Sequence, residues 1–197
     1  YLPIDPEDVG SSYKETVRVN SQSGKGGVGF LLEEVYGVTL SRELLVEFSG
    51  VVQGMTEKLD REIKPDEIYE SLLATYVVDQ APYKLVDYDL LPGRDDDQRC
   101  VARIEVSENI VTIDGQGSGP IEAFVNAMVE TLNEPLVVVG YQETAIEGGS
   151  DAQAICVLAV EDPDGHGRSY GIGLSRNTIT AGLNAIISAI NRRWSKD

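Results

Sequence analysis

Histidine is nearly missing from this chain: His166 is the only one in 197 residues. It lies in Asp164-Gly165-His166-Gly167, a hairpin-tip composition in which a lone imidazole is solvated rather than catalytic. Cysteine is almost as scarce, with only Cys100 and Cys156. Each sits inside a strand-like run, which predicts reduced, buried thiols in a cytoplasmic or organelle-matrix protein. A disulfide between them is the less favoured alternative. No His/Cys cluster has metal-ligand spacing. Positive charge is short as well. The chain carries 16 Lys and Arg against 33 Asp and Glu, a formal net charge of -17. A nucleic-acid backbone needs clustered cations, so nucleic acid is excluded as a partner. No apolar run reaches the roughly 18 residues of a membrane span, and no leader is visible. Tyr1-Leu2-Pro3-Ile4-Asp5-Pro6 has no Met and is apolar and turn-rich, which predicts a piece of a longer chain.

What is present is a repeat. Gly115-Gln116-Gly117-Ser118-Gly119-Pro120-Ile121-Glu122-Ala123-Phe124-Val125-Asn126-Ala127 aligns without a gap on Gly173-Leu174-Ser175-Arg176-Asn177-Thr178-Ile179-Thr180-Ala181-Gly182-Leu183-Asn184-Ala185. Gly115/Gly173, Ile121/Ile179, Ala123/Ala181, Asn126/Asn184 and Ala127/Ala185 are identical pairs. Each copy reads as a strand, a small-residue turn and an amphipathic helix. Such a unit cannot bury its sheet alone, so the two copies are expected to pack together, with a ligand-sized seam between them.

The rest of the chain sorts by periodicity. Residues 1 to 24 read mostly as loop. Val28, Leu31, Leu32 and Val35 recur at helical spacing, and Gly37 is the stop. Ser41 can cap a second helix bearing Leu44, Leu45, Phe48, Val51, Val52, Met55 and Leu59 on one face. Pro65, with Asp66 and Glu67 behind it, opens a third whose stripe is Ile68, Leu72, Leu73 and Tyr76. From about Ala81 the texture alternates. Leu85, Asp87, Asp89 and Leu91 fall on one side of a strand, and Val86, Tyr88 and Leu90 on the other. Three strands and a helix follow one another twice, with connections that suit hairpins. The fold class is therefore α+β: a small helical subdomain over 1–80, then a duplicated βββα domain over 81–197. Its sheets should be mainly antiparallel, with helices on one face.

Three glycine-rich segments are candidates for binding. Gln22-Ser23-Gly24-Lys25-Gly26-Gly27 lacks the Lys-Ser/Thr step of a phosphate loop, so a glycine-rich helix start is favoured. At Gly115-Gln116-Gly117-Ser118-Gly119-Pro120, a strand, turn and helix aim free N–H groups and a positive dipole end at one spot. A carboxylate could be held there without a basic side chain, and a tight turn is the equal alternative. After Gly148-Gly149-Ser150-Asp151, small Ala152 and Ala154 share one strand face. They leave either room for an apolar ligand, with Tyr141 and Ala145 on the facing strand, or tight sheet–helix packing. No nucleophile, base or metal cluster stands out, so a binding module is favoured over an enzyme.

Three stretches carry a family resemblance: Tyr1-Leu2-Pro3-Ile4-Asp5-Pro6-Glu7-Asp8-Val9-Gly10, Val19-Asn20-Ser21-Gln22-Ser23-Gly24-Lys25-Gly26-Gly27, and Gly117-Ser118-Gly119-Pro120. They closely resemble the C-terminal part of 2-isopropylmalate synthases, over essentially the whole chain. The Gly-x-Gly-Pro step is shared with citramalate synthases. The resemblance implies a separate catalytic barrel that condenses acetyl-CoA with 2-oxoisovalerate at a divalent metal, with no cofactor in the present segment. It also implies a linker subdomain followed by a regulatory domain that forms a homodimer and binds L-leucine as feedback inhibitor at the dimer seam.

Carried over by position, the effector site would draw on Gly117, Ser118, Gly119 and Ile121, on Val138, Tyr141 and Ala145, on Ala152 and Ala154, and on Thr178. Asp151 is a candidate for the ammonium. Tyr13 matches a linker tyrosine that the family places near the partner's active site. This chain has Ser118 where the family often has Asn or Asp, and Ser11-Ser12 where it often has Gly-Arg. Two alternatives stand beside leucine sensing: a dimerisation and linker module without an effector, and an isoleucine sensor of the citramalate-synthase type.

Overall fold

The computed structural model describes residues 24–59, 61–79, 82–133, 135–146 and 153–194. The chain divides into two compact units, Tyr1–Thr75 and Tyr76–Asp197. The first holds helices α1 (Gly24–Tyr36) and α2 (Arg42–Leu59) and most of α3 (Pro65–Tyr76). α1 begins within the glycine-rich run, so that run is a helix start, as its Lys25-Gly26 step suggests. Gly37 ends α1 in the left-handed region, where the absence of a Cβ matters (φ 65°). Ser41 caps α2 through Leu44 N–H at 3.2 Å. Leu44, Phe48 and Val52 bury the expected face. Leu59, the last residue of α2, is instead 45% exposed. On the opposite side of α2, Gly50 has open space where a Cβ would stand. Gly50→Ala is expected to stabilise this unit by about 0.5–1 kcal/mol through helix propensity. A shift of the urea midpoint upward, with unchanged slope, checks it.

The second unit repeats one pattern. β1 (Tyr83–Pro92), β2 (Gln98–Val106) and β3 (Asn109–Gly117) form an antiparallel sheet in that order, followed by α4 (Pro120–Leu132). β4 (Val137–Ile146), β5 (Gln153–Glu161) and β6 (Ser169–Ser175) form a second such sheet, followed by α5 (Thr178–Trp194). One apolar core joins the copies. Cys100, Ala102, Ile104, Ile113, Phe124 and Met128 from the first merge with Cys156, Leu158, Ile186, Ile187 and Ile190 from the second. Both cysteines are free and buried. Desolvation pushes the Cys100 thiol up to about 11 and the Cys156 thiol up to about 12.

The repeated glycines explain how each helix meets its sheet. A Cβ on Gly115 would run into Ala123 carbonyl and Ala127 N–H, and one on Gly173 would meet Ala181 and Ala185 in the same way. The identical glycines and alanines of the repeat thus make the same close strand–helix backbone contact twice.

The alternation expected along β1 does not hold at its start. The β1 register shifts between Leu85 and Asp87. Val86 is left as the extra residue of a bulge, 44% exposed. Leu85 therefore packs on the core side with Tyr88 and Leu90, not beside Asp87. β4 repeats the device between Val138 and Gly140, leaving Val139 exposed. Among the described residues, no helix is long and apolar enough to cross a membrane.

Candidate functional site

The start of α4 lies at the head of a cleft of about 550 Å³. Ser118, Gly119 and Pro120 form the turn, Ile121, Glu122, Val125 and Asn126 come from the first turns of α4, and Leu136, Val137 and Val138 close the far side. Helical spacing puts Ile121 and Val125 on one stripe, facing the start of β4. The walls are therefore mostly aliphatic, and the head is backbone. Asn126 Nδ2 donates to Gln116 carbonyl oxygen at 2.8 Å and ties the end of β3 to the helix.

The two helix starts differ where the repeat would make them alike. In α5, Asn177 accepts from Thr180 N–H at 3.1 Å and caps the first turn with its own side chain. In α4 the matching position is Gly119, which supplies no side-chain cap, and Pro120 at the first helical turn has no N–H. Both starts make the same first helical bond, Ala123 N–H to Gly119 carbonyl and Ala181 N–H to Asn177 carbonyl, each at 2.9 Å. α4 thus carries the positive end of its dipole into the cleft without a cap from its own first residue.

Glu122 fills part of this space. Ser118 N–H donates to Glu122 Oε2 at 2.8 Å, and the Ser118 hydroxyl donates to the same oxygen. The Ser118 hydroxyl and then its N–H hold the Glu122 carboxyl below the usual carboxylate range.

Of the residues singled out in sequence, the structure brings Ser118, Gly119, Ile121 and Val138 together in the cleft. Gly117 lies beside it, under α4. A Cβ there would come within 2.7 Å of Ala123 N and 2.8 Å of Glu122 Cγ. Tyr141 stands at the seam of the repeats: a Cβ on Gly182 of α5 would meet Ile121 Cδ1 at 2.6 Å and the Tyr141 hydroxyl at 3.5 Å. That hydroxyl donates to Glu143 Oε2 at 2.7 Å. Burial and this contact raise the phenol above its ordinary range, so it is a neutral donor. Ala145 pairs with Ala154, which is buried in the core. Thr178 is exposed at the first residue of α5, outside the cleft lining. Tyr13, Asp151 and Ala152 lie outside the described residues. Glu122, Val125, Leu136 and Val137 were not singled out, and Pro120 and Asn126 were read only as parts of the turn and of the repeat. Val125 could have been found from its spacing to Ile121, whereas the return of Glu122 onto Ser118 has no sequence signature short of a capping motif. Among the described residues, no group of three or more His, Cys, Asp or Glu is placed to hold a metal ion.

Two βββα copies over one core, with an aliphatic cleft at one helix start, define a duplicated α+β module. Residues 62–194 match the family described as the LeuA allosteric (dimerisation) domain. The chain belongs to that family. Residues 1–33 match a second description, the alpha-isopropylmalate synthase post-catalytic domain-like family. The chain is 40% identical over 199 residues to the 2-isopropylmalate synthase of Brucella suis biovar 1, covering all of this chain and 36% of that protein. It is 40% identical over 198 residues to the 2-isopropylmalate synthase of Rhodospirillum rubrum, covering 100% of this chain and 35% of that one. The same enzyme of Paraburkholderia phytofirmans is 36% identical over 196 residues, with 33% of its length covered. The chain spans about a third of the length of these relatives.

Proposed function

We propose that this chain is the regulatory region of a 2-isopropylmalate synthase and that its cleft binds L-leucine. The observation that carries the reading is the aliphatic cleft headed by the side-chain-uncapped start of α4. An isobutyl group suits Ile121, Val125, Leu136 and Val138, and an α-carboxylate suits the positive helix end. In this reading the region forms a homodimer, is cytoplasmic, and serves a catalytic barrel that holds a divalent metal. Leucine would inhibit by binding one conformation of the region better than another, so that its binding energy biases the barrel.

Calorimetric titration of the chain tests this. L-leucine should bind, and L-isoleucine should bind more weakly by about 1–3 kcal/mol, the usual penalty for one misplaced methyl in an apolar pocket. Val138→Ala should weaken leucine by about 1–2 kcal/mol through lost apolar contact. Absence of both heat and a thermal shift with millimolar leucine, in the folded chain and in its folded Glu122 variants alike, would refute the reading. Tighter isoleucine binding would reassign the effector.

A further inference from the structure

The carboxylate already at the head of the cleft belongs to the protein. Glu122 takes the Ser118 N–H at 2.8 Å and the Ser118 hydroxyl on one oxygen, and both residues line the cleft. Such a return contact is a local relative of the capping box, in which a side chain three residues into a helix satisfies an amide before it. The Ser118 N–H and hydroxyl are among the donors within reach of an amino-acid carboxylate bound at this head of the cleft. Two anions cannot share them, because like charges at contact distance repel and each donor has one hydrogen.

We propose that Glu122 is an internal competitor for the effector's carboxylate: it occupies the Ser118 donors when the cleft is empty and turns into water when the effector binds. The proposal rests on the leucine reading above. Glu122 is solvent-exposed, so it can leave without burying its charge. Its contact with Ser118 further favours the ionised carboxylate. The second copy has no counterpart. Thr180 stands where Glu122 would be, its N–H is capped by Asn177, and its hydroxyl meets Tyr88 at 2.8 Å. The consequence is an affinity set below what the cleft could give, which raises the leucine concentration at which feedback begins.

Leucine titrations of the intact chain and of its Glu122→Ala and Glu122→Gln variants test this. Glu122→Ala should bind L-leucine about threefold to tenfold more tightly, with Glu122→Gln between it and the parent, since a charge-assisted contact is replaced by a weaker one or none. The gain should persist at about 0.5 M salt, where a merely through-space repulsion is screened. L-leucinamide, which has no carboxylate, should show no gain. If the parent binds leucine and Glu122→Ala binds it equally or more weakly, the competitor is wrong and the leucine site stands. If the gain vanishes with salt, Glu122 acts as a distant charge and the competitor is also wrong. If no variant binds leucine, both readings fall. Binding by Glu122→Ala alone would support both.

Discussion

Gly173→Ala is expected to destabilise the second unit by about 3 kcal/mol or more, at the upper end of overpacking effects. The added methyl would lie 2.5 Å from Ala185 N and closer still to Ala181 carbonyl oxygen. Both neighbours are helix backbone, so neither can rotate away. Relief requires lifting α5 from β6, which unpacks Ile186 and Ile190 from the shared core. Gly115→Ala should behave alike, because Ala123 and Ala127 stand over it in the same relation. Gly182→Ala is the contrast. There the nearest atom is Ile121 Cδ1 at 2.6 Å, the end of a flexible side chain that can shift. Its cost should stay under about 1 kcal/mol, partly offset by helix propensity. Urea unfolding of the three variants checks this. A loss below about 0.5 kcal/mol at Gly173 would mean that the strand–helix contact is looser than described.

Asn191→Leu should cost about 3–5 kcal/mol, for a different reason. Asn191 is fully buried near the end of α5. Its Oδ1 accepts from Tyr83 N–H at 3.0 Å, and its Nδ2 donates to Tyr83 carbonyl at 2.7 Å and Val78 carbonyl at 2.6 Å. One side chain thus satisfies three backbone groups where the chain enters β1. Leucine matches the volume but leaves those groups without their partner, at about 1–3 kcal/mol for each that stays dry. Ser188→Ala removes a single contact, the 3.1 Å bond from Val78 N–H, and should cost about 1 kcal/mol. Thermal melts of the two variants should therefore separate clearly. Similar small losses would mean that water replaces the Asn191 amide.

The element order was legible because it rests on local rules. Helical spacing, Ser41, Pro65 and Gly37 marked the three helices, and the ungapped repeat marked both βββα copies. The β-bulges were not legible. A single extra residue at Val86 reverses the side on which Leu85 lies, and only the partner strand shows where pairing slips. The hairpin between β2 and β3 was also poorly signalled. It turns on Ser107 and Glu108 at positive φ, positions where glycine or asparagine would have announced it. The two sheets differ in a further way that alternation does not reveal. β5 is buried from Ala154 to Val160, whereas β2 turns Arg99 and Arg103 outward to pair with Asp114 and Asp87.

The candidate cleft was half legible. Ile121 and Val138 came from the family resemblance, and Ser118 and Gly119 were found because glycine and proline at a strand–helix junction have a local physical meaning. Leu136 and Val137 were not, since their part depends on how the chain returns after α4. By itself, the sequence determined the helices, the duplication and the need for small residues where helix meets strand, since each follows from periodicity or from the space a Cβ requires. Only the tertiary structure decided which helix start opens into a cleft and which anion sits there. Those outcomes depend on the distance between Ser118 and Glu122 and on the side chain that Asn177 has and Gly119 lacks.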